Sequence, residues 1–176
     1  FEKERRCFDP AGAPAMSSVF GAMGVSWQRD AHGRIMRETA LGPEGQPTRT
    51  REGHVVKMTR YDGRGEVLSV SLIDGAGRPT FGPEGWSERR WRRDAQGRVI
   101  QVSTVDTFGN AVADAGGVAT TRTTRSGLTT RVRHLGVDGQ PVGGAGSVAG
   151  RDTTVDVYGR LVAEATVDVT GLPVRD

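Results

Sequence analysis

The sequence predicts an all-β chain built of tandem antiparallel β-hairpin repeats of about 32 residues, stacked into an elongated or curled sheet. Three observations lead there. Gly12, Gly45, Gly77, Gly109, Gly139 and Gly171 recur at intervals of 33, 32, 32, 30 and 32 residues. A second series, Gly33, Gly65, Gly97, Gly127 and Gly159, runs midway between them. No stretch holds apolar residues at i, i+3, i+4 and i+7 for three turns, so no amphipathic helix is expected. The units are read as 9–41, 42–73, 74–105, 106–135 and 136–167, with a partial one at 168–176, in a single array over 1–176.

Each element follows from a local pattern. Most of these glycines close a D-x-x-G run, such as Asp9-Pro10-Ala11-Gly12, Asp30-Ala31-His32-Gly33 and Asp94-Ala95-Gln96-Gly97. Asp at the first position accepts a hydrogen bond from the backbone two residues on. Gly at the fourth takes the left-handed conformation that closes a hairpin with a bulge. All eleven glycines are therefore structural turn residues.

The residues after the mid-repeat glycine read as strand. Arg34-Ile35-Met36, Glu66-Val67-Leu68, Arg98-Val99-Ile100 and Arg160-Leu161-Val162 open these stretches, and Leu41, Ile73, Val105, Leu135 and Val167 close them. The β-branched and small polar residues between favour strand over helix. A more polar strand precedes each mid-repeat turn, as at Val25-Ser26-Trp27 and Val55-Val56-Lys57-Met58. Loops with Pro and Gly join one hairpin to the next. The fourth unit is 30 residues long and has Arg125-Ser126 before Gly127 in place of D-x-x, so a tighter turn or local irregularity is expected there.

Composition supports a thin array. Hydrophobic residues make up 35% of the 176, and 26 are Gly, too few apolar groups for a thick core. Units of this kind bury their apolar faces on their neighbours. The single cysteine, Cys7, excludes an intrachain disulfide, and no apolar run is long enough for a membrane-spanning helix. Lys3 and Lys57 are the only lysines among 24 basic residues, a bias expected of a GC-rich genome, and the net charge is a modest +3. The first residue is not Met and the last lies inside a repeat, as expected of a fragment of a longer protein.

Arg60-Tyr61-Asp62-Gly63-Arg64-Gly65-Glu66-Val67 and Arg93-Asp94-Ala95-Gln96-Gly97-Arg98-Val99 resemble the YD repeats of Rhs-type proteins. The run Asp106-Thr107-Phe108-Gly109-Asn110 is similar. The chain departs from that pattern in having only Tyr61 as its tyrosine in these runs and in its longer period. The hairpin logic also resembles variant MORN repeats. The resemblance implies a bacterial origin, secretion or surface display (a cytoplasmic location stays open), β-sheet shells or scaffolds, and no catalytic residue in the repeats.

Candidate chemistry is sparse. His32, His54 and His134 match no zinc spacing and read as surface histidines. The D-x-x-G turns offer one carboxylate each, with Arg34, Arg98 or Arg160 beside them, which suits turn geometry better than calcium. No G-x-S-x-G elbow occurs, and Gly144-Ala145-Gly146-Ser147 lacks the Lys of a phosphate loop. No cofactor or metal is expected. The sharpest local feature is Trp86-Ser87-Glu88-Arg89-Arg90-Trp91-Arg92-Arg93. Trp86, Arg89, Arg90, Trp91, Arg92 and Arg93 form a candidate interaction surface for protein, glycan or, less well, nucleic acid. Against that, Trp27 occupies the column of Trp91 two repeats earlier, which suits packing. The leading expectation is a non-catalytic structural or interaction module that contacts a protein partner or flanking domains. The alternatives are a glycan-binding array using Trp27, Trp86, Trp91 and Tyr61, and an accessory subunit docking on a large complex through its sheet edge.

Overall fold

A computed structural model describes residues 3–19, 21–143 and 148–174. The Gly144–Ser147 run falls outside them. The described residues are all-β, with eleven strands and no helix: β1 (Glu4–Arg6), β2 (Gly24–Arg29), β3 (Ile35–Leu41), β4 (Val56–Tyr61), β5 (Val67–Ile73), β6 (Glu88–Arg93), β7 (Val99–Val105), β8 (Thr120–Ser126), β9 (Thr129–Leu135), β10 (Gly150–Val155) and β11 (Leu161–Val167). The chain divides into two units, Phe1–Arg89 and Arg90–Asp176, with the boundary inside β6. In the first, β1 to β5 pair antiparallel in chain order. In the second, β7 to β11 do the same.

The D-x-x-G turns are built by their aspartates. In the β2–β3 turn the Asp30 Oδ1 accepts the His32 and Arg34 backbone N–H groups at 2.9 and 3.0 Å, and the Gly33 N–H donates to the Asp30 carbonyl at 3.0 Å. Gly33 sits at φ +82°, which a residue with a Cβ enters only at a cost. The same bonds recur at Asp94, where Gln96 and Arg98 donate at 3.0 and 2.9 Å. One-residue register shifts follow between Gln28 and Arg29, Arg60 and Tyr61, and Thr154 and Val155, the expected bulges.

The fourth hairpin is the tighter turn its sequence foretells. β8 and β9 pair without a shift to Ser126–Thr129, leaving the two-residue loop Gly127-Leu128. That shortening accounts for a 30-residue unit.

A third series of left-handed glycines lies in the stretches read from sequence as plain Pro-Gly loops. Gly21, Gly53, Gly85 and Gly117 have φ of 61, 90, 83 and 83°. Each closes a further turn, with Gly53 donating to the Thr50 carbonyl and Gly117 to that of Asp114. These turns lead the chain back into the next hairpin.

The core sits at the open ends of the hairpins, around one repeated joint. The Ala40 N–H donates to the Val55 carbonyl of the next hairpin while its own carbonyl accepts from Thr48 of the loop. Leu72 does the same with Ser87 and Thr80, Thr104 with Ala119 and Val112, and His134 with Ala149 and Val142. One residue on, Leu41, Ile73, Val105, Leu135 and Val167 bridge to Pro47, Pro79, Ala111, Pro141 and Pro173. Ala22, Val25, Ala40, Leu41, Val55, Val56 and Leu72 are buried in the first unit, and Val105, Ala119, Leu135, Ala149 and Val167 in the second. His54 is buried among the first group at 6% exposure, which corrects its reading as a surface histidine. It is carried there by the turn at Gly53, which sequence pattern alone leaves as a loop.

Candidate interaction surfaces

The turn aspartates are committed within their own turns. Beyond the two backbone bonds, the second carboxylate oxygen takes the arginine that follows the glycine: Arg34 on Asp30 at 2.6 Å, Arg78 on Asp74 at 3.3 Å, Arg98 on Asp94 and Arg160 on Asp156 at 2.7 Å. At Asp106 the amide of Asn110 takes that place at 3.2 Å. The backbone N–H groups of Arg78 and Arg160 hold the Asp74 and Asp156 carboxyls below the ordinary carboxylate value. At Asp30 and Asp94 partial burial pushes the other way, but the backbone and guanidinium bonds from Arg34 and Arg98 outweigh it. Among the described residues no three His, Cys, Asp or Glu converge to hold a metal ion.

The first unit carries two tryptophan clusters. Trp27 on β2 donates its indole N–H to the Glu38 Oε2 on β3 at 3.0 Å, and Lys57 on β4 meets the Glu38 Oε1 at 3.3 Å. The Arg5 guanidinium lies 5.9 Å from the Trp27 ring centre. Trp86 donates to Glu84 at 2.8 Å, Arg89 pairs with the same carboxylate oxygen at 2.6 Å, and the Arg89 guanidinium lies 4.7 Å over the Trp86 ring. The Trp86 indole, with help from Arg89, holds the Glu84 carboxyl below its usual value. Trp86 and Arg89 are thus tied to each other through Glu84.

Buried His54 faces Thr50. Its Nδ1 lies 3.3 Å from the Thr50 hydroxyl, which also donates to the His54 carbonyl at 3.1 Å, while Glu52 stands 3.8 Å away. Burial pushes the imidazole below its ordinary value, against the opposing pull of Glu52. His134 on β9 is half-buried and bonded to Thr121 at 3.1 Å, and His32 is exposed on its turn.

In the second unit the seams between hairpins differ. The β9–β10 ladder runs to the tips, where the Thr129 and Thr154 hydroxyls meet at 3.0 Å. The β7–β8 ladder stops at Gln101–Arg122, although both strands run on. Beyond that point the strands part around a cavity of about 510 Å³, lined among others by Arg92, Arg98, Ile100, Arg122, Thr124 and Arg125. In the first unit the β3–β4 ladder also stops early, at Arg37–Met58. There Tyr61 fills the gap, donating to the Ile35 carbonyl at 2.9 Å, with Arg34 over its ring at 4.8 Å.

The six residues singled out from sequence therefore do different things. Trp86 and Arg89 belong to the Glu84 cluster of the first unit. In the second, Trp91 and Arg93 are half-buried, Arg90 is exposed, and Arg92 lines the β7–β8 cavity. The contribution of Arg122 and Arg125 escaped the sequence reading. The available signal was the column: Arg125 stands two periods after Tyr61. No family model matches the sequence, and no curated protein matches it.

Proposed function

We propose that this chain is a non-catalytic structural or interaction module of a larger bacterial secreted or surface protein, in which the hairpin array presents strands and seams to a partner or to flanking domains. The observation that carries this reading is β11. It pairs with β10 on one side, and its other edge has no strand among the described residues. Its first residues, Leu161 and Val162, are 62% and 65% exposed. Their counterparts in the earlier strands are more covered: Thr129 and Thr130 pair with β10, the Ile35 carbonyl accepts from Tyr61, and Met36 and Leu68 are 41% and 40% exposed. An open edge flanked by aliphatic side chains is a template for strand addition. The likeness of residues 60–67 and 93–99 to YD repeats supports a shell or scaffold role.

The test is light scattering with acrylamide quenching of tryptophan fluorescence on the 176-residue chain. Concentration-dependent self-association, abolished by the double substitution L161K/V162K, is expected. A monomer whose mass does not change with concentration overturns the edge reading. Readily quenched tryptophans on such a monomer would favour the glycan-binding alternative instead.

A further inference from the structure

We infer that the β7–β8 cleft of the second unit is a binding site for an acidic peptide segment in extended conformation. The inference rests on the reading of the chain as an interaction module and names the chemistry of one partner. Two independent observations support it.

The first is charge. In this unit Arg98, Arg131, Arg133, Arg151 and Arg160 each meet a carboxylate: Asp94, Asp152 (twice), Glu164 and Asp156. Arg92, Arg122 and Arg125 meet none among the described residues, and these three line the cleft. Among the described residues the one carboxylate in the lining, Asp94, is already taken by Arg98. Arg122 and Arg125, three apart on β8, flank the strand edge from its two faces, and uncompensated guanidinium groups so placed raise the local concentration of anions and bind carboxylates through paired N–H donors.

The second is the backbone. Thr123, Thr124 and Arg125 of β8 line the cleft together with Arg122. Successive strand residues point to opposite faces, so four in a row line a cavity only where the strand presents its edge. That edge is free because the ladder has ended, and an extended chain can bond to it. In the first unit Tyr61 occupies the corresponding gap; here the column holds Arg125. Among the described residues no aromatic side chain lines the cleft, which leaves no stacking platform of the kind that nucleic acid or sugar rings use. Carboxylates on an extended peptide suit both features.

The experiment is fluorescence anisotropy of a labelled Glu- and Asp-rich peptide titrated with the full chain, at a concentration where light scattering shows one species. A sulfated oligosaccharide and a single-stranded oligonucleotide serve as competitors. Binding is expected that weakens steeply between about 50 and about 300 mM salt. R122E and R125E should each weaken it by about tenfold or more, whereas R151E should leave it nearly unchanged. R125Y, which restores the tyrosine of the first unit, should close the cleft and abolish binding without lowering the melting temperature. Undiminished binding by R122E and R125E, no peptide binding at all, or tighter binding of the oligosaccharide or oligonucleotide each overturns the proposal. Loss of peptide binding with self-association through β11 intact would sink the cleft alone; absence of both would sink the module reading as well.

Discussion

Single residues set the acid response of this fold. The carboxyls of Asp30, Asp74, Asp94, Asp106, Asp156 and Asp168 all lie below their ordinary value in the folded chain. The unfolded chain then binds more protons as pH drops below about 4, so the stabilisation is complete above that pH and is lost as pH falls through the folded values. The melting temperature should decline between about pH 5 and about pH 2, and D74N, which keeps an oxygen acceptor but loses the Arg78 pair, should flatten the decline. His54 adds a second window of the same sign. Burial lowers its value, so its contribution is complete above about pH 6.5 and fades as pH drops below that. H54A, which places there the residue found at Ala22 in the same column, should remove the slope between about pH 5 and about pH 7 in a melting series. Ser69 offers a test of opposite direction. Its hydroxyl is buried on β5 without a hydrogen-bond partner among the described residues, and β11 carries Ala163 in that column. S69A should therefore leave stability unchanged or raise it by about 1 kcal/mol in chemical denaturation.

At the scale of elements, the seams are where stability and specificity are set. Y61F removes the bond to the Ile35 carbonyl that closes the β3–β4 gap and should cost about 1 kcal/mol. G150A should cost about 1–3 kcal/mol, because a Cβ there would run into the Val132 carbonyl of β9. Equilibrium unfolding of each variant checks both figures. The hairpins themselves were legible in the sequence because D-x-x-G forces a local conformation that no tertiary contact needs to impose. The joints were not. At Ala40, Leu72, Thr104 and His134 the backbone does the joining, with N–H to the next hairpin and C=O to the loop, so the joint asks for no one residue type and leaves no column. The β7–β8 cleft was illegible for a related reason: it arises where a ladder stops, and pairing leaves no mark on composition.

For the molecule as a whole, the left-handed glycines define a metre. From Gly53 to Gly65 is twelve residues, from Gly65 to Gly77 twelve, and from Gly77 to Gly85 eight, and the pattern returns at Gly97, Gly109 and Gly117. Among the described residues from Gly12 to Gly139 the metre is broken twice. Nine residues separate Gly12 from Gly21, and ten separate Gly117 from Gly127. The odd change falls in a loop, where side chains have no alternating sides to keep. The even change falls in a hairpin, and because strand side chains alternate with period two, removing a pair returns every later residue to its proper face. Parity is thus a constraint on this kind of chain: within a hairpin a change of two residues keeps the faces in phase and a change of one does not, while a loop accepts either. A frame of this sort lets turns shorten while the faces presented to partners stay in phase.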